Sequence, residues 1–237
     1  MQDQQADLDW RDGRTPVSRR FGDPYFSVDD GMAETAHVFL AGNDLPARFG
    51  GDFQVAELGF GTGLNLLMTW AAWAEAGCPG RLTYTSFELY PMAAADRARA
   101  LAAFPALAPL ADRLAAVTGA GLGTGAGLGT HGLAPGLSLR VITGDARQTL
   151  PQWQGLADAW FLDGFAPARN PEMWEPELLA QVAGHTRPGG TLATYTAAGH
   201  VRRGLAAAGF AVSRQPGYGR KRHMTVARMP PVMPSAR

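Results

Sequence analysis

The residues with the clearest chemical potential form a glycine-rich turn after a short apolar run. That run, residues 55–58, is typical of a buried parallel strand. Gly59, Gly61 and Gly63 occupy alternate positions after it, and a helical pattern begins at Leu64. Glycines let the backbone approach a ligand closely, and the first turn of a helix offers unpaired N–H groups. The segment therefore predicts a small-molecule site at the end of this strand.

Three acidic side chains stand at the predicted ends of three successive strands. Glu57 lies in the first strand end, Glu88 ends a strand over residues 82–87, and Asp145 follows a strand over residues 139–143. The glycine spacing is G-x-G-x-G, not the G-x-G-x-x-G of a dinucleotide site, and Glu57 disfavours a pyrophosphate. Glu57 suits a sulfonium and an amino group, Glu88 suits two ribose hydroxyls, and Asp145 suits an adenine amino group. We therefore predict an S-adenosylmethionine site, with helix capping by each acid as the alternative.

A second reactive group follows the fourth predicted strand, residues 157–162. The sequence Asp163-Gly-Phe165-Ala-Pro167 resembles the Asp/Asn-Pro-Pro-aromatic signature of amino-group methyltransferases. A carboxylate and backbone carbonyls there accept hydrogen bonds from an amine and align its lone pair with a methyl donor. An alkylamine has a pKa of roughly 10, so Asp163 either takes its proton or orients an amine that is already neutral. Phe165 and Trp174 are candidates to stack on a flat base, and core packing is the alternative.

The elements that must position these residues alternate between strands and helices. Further strands are predicted over residues 191–195, 210–214 and 223–227. This order implies an α/β fold of the class I S-adenosylmethionine-dependent methyltransferase (Rossmann-like) type, with a mostly parallel seven-stranded sheet and helices on both faces. Ligands in this architecture bind beyond the carboxyl ends of the strands, where both reactive groups lie.

One domain over residues 21–228 accounts for the whole pattern. Residues 1–20 are polar and aperiodic, so we expect a flexible leader there, and residues 229–237 are expected to form a linker-like tail. Residues 119–137 contain a near-repeat of Gly-Ala-Gly-Leu-Gly-Thr that lacks the Lys and Ser/Thr of a P-loop. We interpret this segment as a Gly-rich surface insertion.

Charge is distributed unevenly, although its total is zero. All 21 acidic residues lie in residues 1–177, whereas residues 178–237 hold nine of the 21 basic residues and no acid. This asymmetry predicts an anionic partner on the C-terminal side. The alternative is a solvated face that pairs with acids of the first segment.

Composition argues against several classes of protein. No apolar run reaches the roughly 18 residues of a membrane span. The polar, acidic N-terminus argues against a secretory signal. The single cysteine, Cys78, neither forms an internal disulfide nor builds a zinc site, so no metal is predicted. We therefore expect a cytoplasmic protein with no membrane partner.

Longer motifs resemble those of a known family. Residues 158–174, which read Asp-Ala-Trp-Phe-Leu-Asp-Gly-Phe-Ala-Pro-Ala-Arg-Asn-Pro-Glu-Met-Trp, resemble the methyltransferase domain of the bacterial tRNA 5-methylaminomethyl-2-thiouridine biosynthesis bifunctional proteins. Further matches cover residues 23–31, 39–44, 57–65, 198–204 and 217–222. The resemblance does not extend to the flavin-dependent oxidoreductase domain of that family, so FAD is not expected in this chain. The insertion at 119–137 matches no family motif.

The resemblance implies methyl transfer from S-adenosylmethionine to the amine of 5-aminomethyl-(2-thio)uridine at the tRNA wobble position. Together with the residue patterns, it gives cofactor contacts from Glu57, Gly59, Gly61, Gly63, Asn65, Glu88, Asp145 and Ala146. It gives catalytic roles to Asp163, Phe165 and Pro167. Contacts to tRNA are expected around the base from Tyr25, Phe26 and Trp174, and on the anticodon stem phosphates from Arg202, Arg203, Arg220, Lys221 and Arg222. A separate or fused FAD-dependent oxidoreductase would supply the amine.

Two other classes of protein stay open at this point. Polyamine enzymes share the acidic, glycine-rich plan, which keeps a small-amine methyl- or aminopropyltransferase as one alternative. The other is a non-catalytic RNA-binding module. The acids Glu57, Glu88, Asp145 and Asp163 argue against a module without chemistry, because all four positions are intact.

Overall fold

The computed structural model describes residues 5–27, 30–119 and 129–231. It begins with a two-stranded antiparallel hairpin of β1 (Leu8–Arg11) and β2 (Thr15–Ser18). The expected flexible leader is therefore wrong for residues 8–18, where Thr15 and Ser18 are buried. Sequence periodicity misses this hairpin because backbone pairing and the stacking of Arg99 on Trp10, at 3.9 Å from the ring centroid, hold it in place.

Eight strands form the main sheet in the described residues. They are β3 (Asp52–Leu58), β4 (Arg81–Glu88), β5 (Thr130–Ala134), β6 (Leu137–Thr143), β7 (Ala157–Leu162), β8 (Thr186–Thr194), β9 (Ala211–Pro216) and β10 (His223–Arg228). Their spatial order is β5-β6-β4-β3-β7-β8-β10-β9. The central strands β6, β4, β3, β7 and β8 are parallel, whereas β5 and β10 run antiparallel to their neighbours.

The helices lie on both faces of this sheet. They are α1 (Gly31–Thr35), which continues into a π-helical turn (Ala36–Leu40), α2 (Leu64–Glu75), α3 (Ala94–Leu101), α4 (Ala108–Thr118), α5 (Ala146–Thr149), α6 (Pro176–Gly184) and α7 (Gly199–Ala207). One apolar cluster includes Leu67 of α2 and Tyr84. The other includes Leu178 of α6, Val201 of α7 and Trp160. Val55 belongs to the first cluster and the adjacent Ala56 to the second, so neighbouring residues of β3 point into different cores, as expected of a sheet covered on both sides.

The strand count exceeds the predicted seven because β5 lies in the segment expected to be a surface insertion. This strand pairs antiparallel with β6, and Leu133 is 3% exposed. The prediction of a surface insertion is therefore wrong for residues 130–137 alone. Residues 120–128, which hold most of the repeat, lie outside the described residues, so their interpretation stays a prediction.

No single helix of the described ranges is long and apolar enough to cross a membrane. Ala94–Leu101 and Pro105–Thr118 reach that length and composition only as a pair, with a bend of 118° between them. Ala100 and Leu114 of this pair are buried in the protein.

The chain order of the parallel strands reverses at β3. From β3 the chain proceeds to β4 and β6 on one side, and then to β7 and β8 on the other. In open α/β sheets the ligand crevice lies outside the carboxyl ends of the strands at such a point. The glycine turn and the loop that begins at Asp163 follow β3 and β7, and both stand at this edge.

Candidate active site

A cavity of about 700 Å³ lies at the carboxyl edge of the sheet. Of the predicted site residues, its wall contains Tyr25, Phe26, Gly59, Gly61, Asn65, Glu88, Asp145, Ala146, Asp163, Phe165, Arg220 and Lys221. It does not contain Glu57, Gly63, Pro167, Trp174, Arg202, Arg203 or Arg222. The described residues hold no group of three or more His, Cys, Asp and Glu side chains placed to bind a metal ion.

Backbone hydrogen bonds join the strand ends that form the cavity floor. The Gly59 N–H donates to the Phe87 carbonyl at 2.8 Å, and the Asp163 N–H donates to the Leu58 carbonyl at 3.1 Å. A Cβ atom on Gly59 would lie 2.5 Å from the Asp163 carbonyl oxygen, and Gly59 has a φ of 91°. Glycine is required here because a side chain would force apart the two loops that carry the site.

The Glu88 carboxyl group is held by the glycine turn. Its oxygens accept hydrogen bonds from the Gly61 N–H at 2.9 Å and from the Tyr90 N–H at 2.7 Å. Burial raises the pKa of Glu88, and these backbone donors oppose the rise. A carboxyl group fixed in this way on the cavity wall suits the predicted ribose contact.

Asp145 serves as the N-cap of α5, which was the alternative to cofactor binding. Its side chain accepts a hydrogen bond from the Arg147 N–H at 2.9 Å and forms an ion pair with the Arg147 guanidinium at 2.7 Å. The hydrogen bond from the Arg147 side chain lowers the pKa of Asp145. Asp145 and the adjacent Ala146 also line the cavity, so their contact with adenine stays a prediction.

The Asn65 side chain joins two carboxyl groups. Its Nδ2 atom donates to Glu57 Oε1 at 2.9 Å and to Asp163 Oδ2 at 2.7 Å. Its Oδ1 atom accepts from the Thr35 hydroxyl at 2.9 Å, and the Ser86 hydroxyl donates to Glu57 Oε2 at 2.7 Å. Glu57 is fully buried behind the cavity wall, which corrects the expectation that it contacts a cofactor directly. The Asn65 amide joins it to Asp163 in the cavity wall.

Both carboxyl groups of this network titrate far above the ordinary range. Burial raises the pKa of Glu57 to about 8, although hydrogen bonds from Asn65 and Ser86 oppose it. Burial raises the pKa of Asp163 to about 7, and the Asn65 hydrogen bond again opposes the rise. A carboxyl group with a pKa close to neutrality is suited to exchange a proton with a bound ligand.

We expect the free energy of unfolding to fall as the pH rises from about 5 to about 8. In the folded chain Asp163 keeps its proton up to about pH 7 and Glu57 up to about pH 8, whereas in the unfolded chain both lose their protons near pH 4. The folded state therefore binds more protons, and raising the pH favours unfolding. Glu57→Gln, which stays neutral, should make the decline shallower, and Glu177→Gln on the exposed surface of α6 should not. Urea denaturation at stepped pH measures this, and equal slopes for Glu57→Gln and the parent chain would contradict it.

Aromatic rings cover the cavity beside Asp163. Phe165 stacks on Phe21 with ring centroids 4.8 Å apart, and Tyr25 meets Phe165 edge-on at 5.1 Å. Burial raises the pKa of Tyr25 well above its ordinary value, so its hydroxyl stays protonated. Phe26 packs edge-on against Phe104 at 4.9 Å. Sequence reasoning missed Phe21, although it begins a segment rich in aromatic and turn residues.

Trp174 and Pro167 support the loop after β7 from outside the cavity. Trp174 is 3% exposed, and its Nε1 atom donates to the Phe165 carbonyl at 3.0 Å. The expectation that Trp174 stacks on a base is therefore wrong, and the core-packing alternative is correct. Pro167 lies in a turn after Ala166. The N–H groups of Arg169 and Asn170 close this turn by donating to the Ala166 carbonyl.

The predicted tRNA-binding residues only partly surround the cavity mouth. Arg220 and Lys221 line it from the exposed loop between β9 and β10, and Arg222 follows them on the surface. Arg202 and Arg203 lie on α7, outside the cavity wall, and Arg202 donates to a backbone carbonyl at 3.3 Å.

Positive charge is concentrated around His223. Burial lowers the pKa of His223, and Arg214, Arg222 and Arg202 lower it further. These side chains come from β9, the β9–β10 loop and α7, so they meet only in the fold. Sequence reasoning missed Arg214, although it belongs to the segment without acids.

Two other basic residues of the acid-free segment 178–237 pair with acidic side chains. This agrees with the alternative to an anionic partner, a solvated face that pairs with acids of the first segment. Arg187 lies 3.3 Å from Asp158, and Arg228 lies 2.9 Å from Asp44. All four side chains are at least 20% exposed, so such pairs contribute little to stability. The basic segment thus contains paired residues, among them Lys221 with Glu34, and a cluster around His223.

The predicted S-adenosylmethionine fits this cavity. A volume of about 700 Å³ is within the range of small-molecule sites. Gly59 gives the backbone of the turn close access, and a Cβ atom on Gly61 would lie 3.1 Å from the Tyr25 ring. The carboxyl groups of Glu88 and Asp145 line the cavity and offer acceptors to ribose hydroxyls and an adenine amino group.

Comparison with known proteins finds relatives of the same family. Residues 128–230 match a family model described as S-adenosyl-L-methionine-dependent methyltransferase. The tRNA 5-methylaminomethyl-2-thiouridine biosynthesis bifunctional protein MnmC of Pseudomonas aeruginosa (strain UCBPP-PA14) is 50% identical over 228 residues, which cover 93% of this chain and 34% of that protein. The protein of the same name from Marinobacter nauticus is 45% identical over 237 residues, which cover 95% of this chain and 37% of that protein. The chain thus spans about a third of the length of these curated relatives.

A solved structure agrees with the fold of the whole chain. The crystal structure of MNMC2 from Aquifex aeolicus has a TM-score of 0.72 and 26% sequence identity. The match covers 100% of this chain and 74% of that one. The α/β class I architecture predicted from the sequence is confirmed. By these matches the chain is similar to the S-adenosyl-L-methionine-dependent methyltransferases and, over nearly its whole length, to about a third of the MnmC proteins.

Proposed function

We propose that this domain methylates the amine of 5-aminomethyl-(2-thio)uridine at the tRNA wobble position, giving 5-methylaminomethyl-(2-thio)uridine. The Asp163 carboxyl group carries the proposal. It lines the cavity beside Phe165, is held by Asn65, and has a pKa of about 7. An acceptor of this kind next to aromatic rings suits an amine attached to a flat base. The names of the relatives support the same substrate.

Bound S-adenosylmethionine supplies an electrophilic methyl group on a positively charged sulfur. Glu88 and Asp145 would hold its nucleoside, and the glycine turn would let it approach the backbone. The substrate amine arrives mostly protonated, because an alkylamine has a pKa of roughly 10. The Asn65 amide already donates a hydrogen bond to Asp163 Oδ2. We therefore propose that the substrate amine donates to Asp163 Oδ1. Asp163 accepts the proton of the ammonium group, and the lone pair that this frees is the nucleophile.

The aromatic wall would position the base and keep water from it. Phe165 contacts both Phe21 and Tyr25 at the cavity, which makes one continuous apolar surface. A uridine ring on this surface presents its 5-substituent toward Asp163. Stacking of a base on an aromatic ring contributes roughly 1–3 kcal/mol.

The partners follow from charge and from the relatives. The loop of Arg220 and Arg222 would bind phosphates of the tRNA anticodon stem-loop, next to the cavity mouth. The relatives are named bifunctional and are about three times as long as this chain. We therefore propose that a separate or fused FAD-dependent oxidoreductase supplies the amine, and that the reaction takes place in the cytoplasm.

Transfer of label from S-adenosylmethionine tests the proposal. The protein is incubated with labelled cofactor and tRNA that carries 5-aminomethyluridine, with tRNA that lacks it, and with free putrescine. We expect label only in the first tRNA. Label in putrescine would instead indicate a small-amine transferase. No label anywhere, together with no cofactor binding by calorimetry, would indicate an RNA-binding module.

A further inference from the structure

We propose that Glu34 and Tyr195 form the subsite that recognises the substrate as a primary alkylammonium ion, and that the Lys221 ammonium group occupies this subsite until the substrate arrives. The inference rests on the function proposed above. It adds to that function the residues that select a cationic 5-substituent over a neutral one.

The Lys221 side chain is 44% exposed, but its ammonium group contacts two residues of the cavity wall. Its Nζ atom is 2.6 Å from Glu34 Oε1 and 3.9 Å from the centroid of the Tyr195 ring. The Glu34 side chain is only 14% exposed, so the carboxylate is aimed at the cavity rather than at bulk water. All three residues line the cavity wall. A carboxylate and an aromatic face therefore enclose one alkylammonium group.

The Tyr195 ring is fixed next to the reactive carboxyl group. Its hydroxyl donates to the Gly164 carbonyl at 2.9 Å, one residue after Asp163. Burial raises the pKa of Tyr195, and the charges of Asp163, Asp23 and Glu34 raise it further. The negative charge that acts on Tyr195 favours a cation on its ring.

The chemistry of the occupant identifies the ligand class. The lysine side chain ends in a primary amine on a methylene carbon, and the 5-aminomethyl group of the proposed substrate ends in the same way. An aromatic face with an adjacent carboxylate binds such a cation by cation–π attraction and by a charge-assisted hydrogen bond. Uridine without the aminomethyl group offers no cation and should not displace Lys221.

The position of Lys221 links this subsite to RNA binding. Lys221 lies between Arg220 and Arg222 on an exposed loop. A phosphate bound by this loop gives the displaced ammonium group a new partner. The substrate amine and the RNA backbone therefore act together to vacate the subsite.

A single nuclear magnetic resonance signal tests the inference, because Lys221 is the only lysine in the chain. Lysine labelled with ¹³C at Cε gives one side-chain resonance, which the Tyr195 ring shifts from the value of a free lysine. Titration with the nucleoside 5-aminomethyluridine should move it to the free value. Uridine should leave it in place. Methylammonium chloride should move the Lys221 resonance in the same direction, and sodium chloride at the same concentration should not.

Two variants separate this subsite from a merely structural ion pair. Glu34→Gln should weaken binding of 5-aminomethyluridine by about 10-fold and leave uridine binding unchanged. Lys221→Met should strengthen binding of the aminomethyl nucleoside, because the competing ammonium group is gone. Equal displacement by uridine and by 5-aminomethyluridine would overturn the inference, as would weaker nucleoside binding in Lys221→Met. Displacement of Lys221 without any methyl transfer would keep the subsite and refute the proposed reaction.

Discussion

Replacing Asp163 with alanine should lower methyl transfer by a factor of about 100 or more while S-adenosylmethionine binding stays intact. The carboxyl group is the acceptor that we assign to the substrate amine, and Asn65 holds it at 2.7 Å. The turn at Gly59 packs on the backbone carbonyl of residue 163, not on its side chain. The substitution therefore removes the acceptor and leaves the cofactor turn in place.

Asp163→Asn is the matched variant, since it keeps the shape and removes the proton acceptor. In the parent chain kcat/KM should rise with pH through about 7, as Asp163 loses its proton. This step should be absent in Asp163→Asn. Single-turnover rates, with cofactor affinity from calorimetry, measure both effects. Parallel loss of affinity and turnover would mean that Asp163 is structural.

Removing the charges at Arg220, Lys221 and Arg222 should weaken tRNA binding by on the order of 100-fold at low salt. Each phosphate contact contributes about 1 to the slope of log affinity against log salt, so the slope should fall by about 2 to 3. The three residues lie on one exposed loop, and two of them line the cavity mouth. The loss should be similar for all tRNA sequences, because phosphate contacts position the RNA and do not identify its bases.

The pair of substitutions Arg187→Gln and Arg228→Gln provides the control. These bases belong to the same acid-free segment but pair with Asp158 and Asp44. Their removal should leave the salt slope within error of the parent value. Filter binding between low and physiological salt measures the slopes. An unchanged slope in the loop variant would place the RNA on another surface.

The sequence predicted the carboxyl edge of the sheet well because parallel strands end together. The sequence placed Glu88, Asp145 and Asp163 after three buried strands, and all three line one cavity. For Asp145 the helix-capping alternative is correct, because its side chain accepts from the Arg147 N–H as the N-cap of α5, and its contact with adenine stays a prediction. The position of a residue at a strand end determines its neighbourhood, but not which partner its side chain contacts.

Residues from distant segments were missing from the prediction. Glu34 and Tyr195 lie far from Asp163 in sequence, and only the packing of α1 against α2 and the end of β8 brings them together. Trp174 was misassigned because the sequence shows an aromatic side chain but not its direction, and it points to the Phe165 carbonyl. Glu57 likewise follows the strand pattern, yet it faces Asn65 and Ser86 behind the cavity.

Nucleoside analysis of tRNA tests the central claim most directly. Bulk tRNA that carries 5-aminomethyl-2-thiouridine is digested before and after incubation with the protein and S-adenosylmethionine, and its nucleosides are resolved by mass spectrometry. We expect the 5-aminomethyl nucleoside to disappear and a nucleoside heavier by one methylene group to replace it in equal amount. Persistence of the 5-aminomethyl nucleoside, or a methyl group on any other nucleoside, would contradict it.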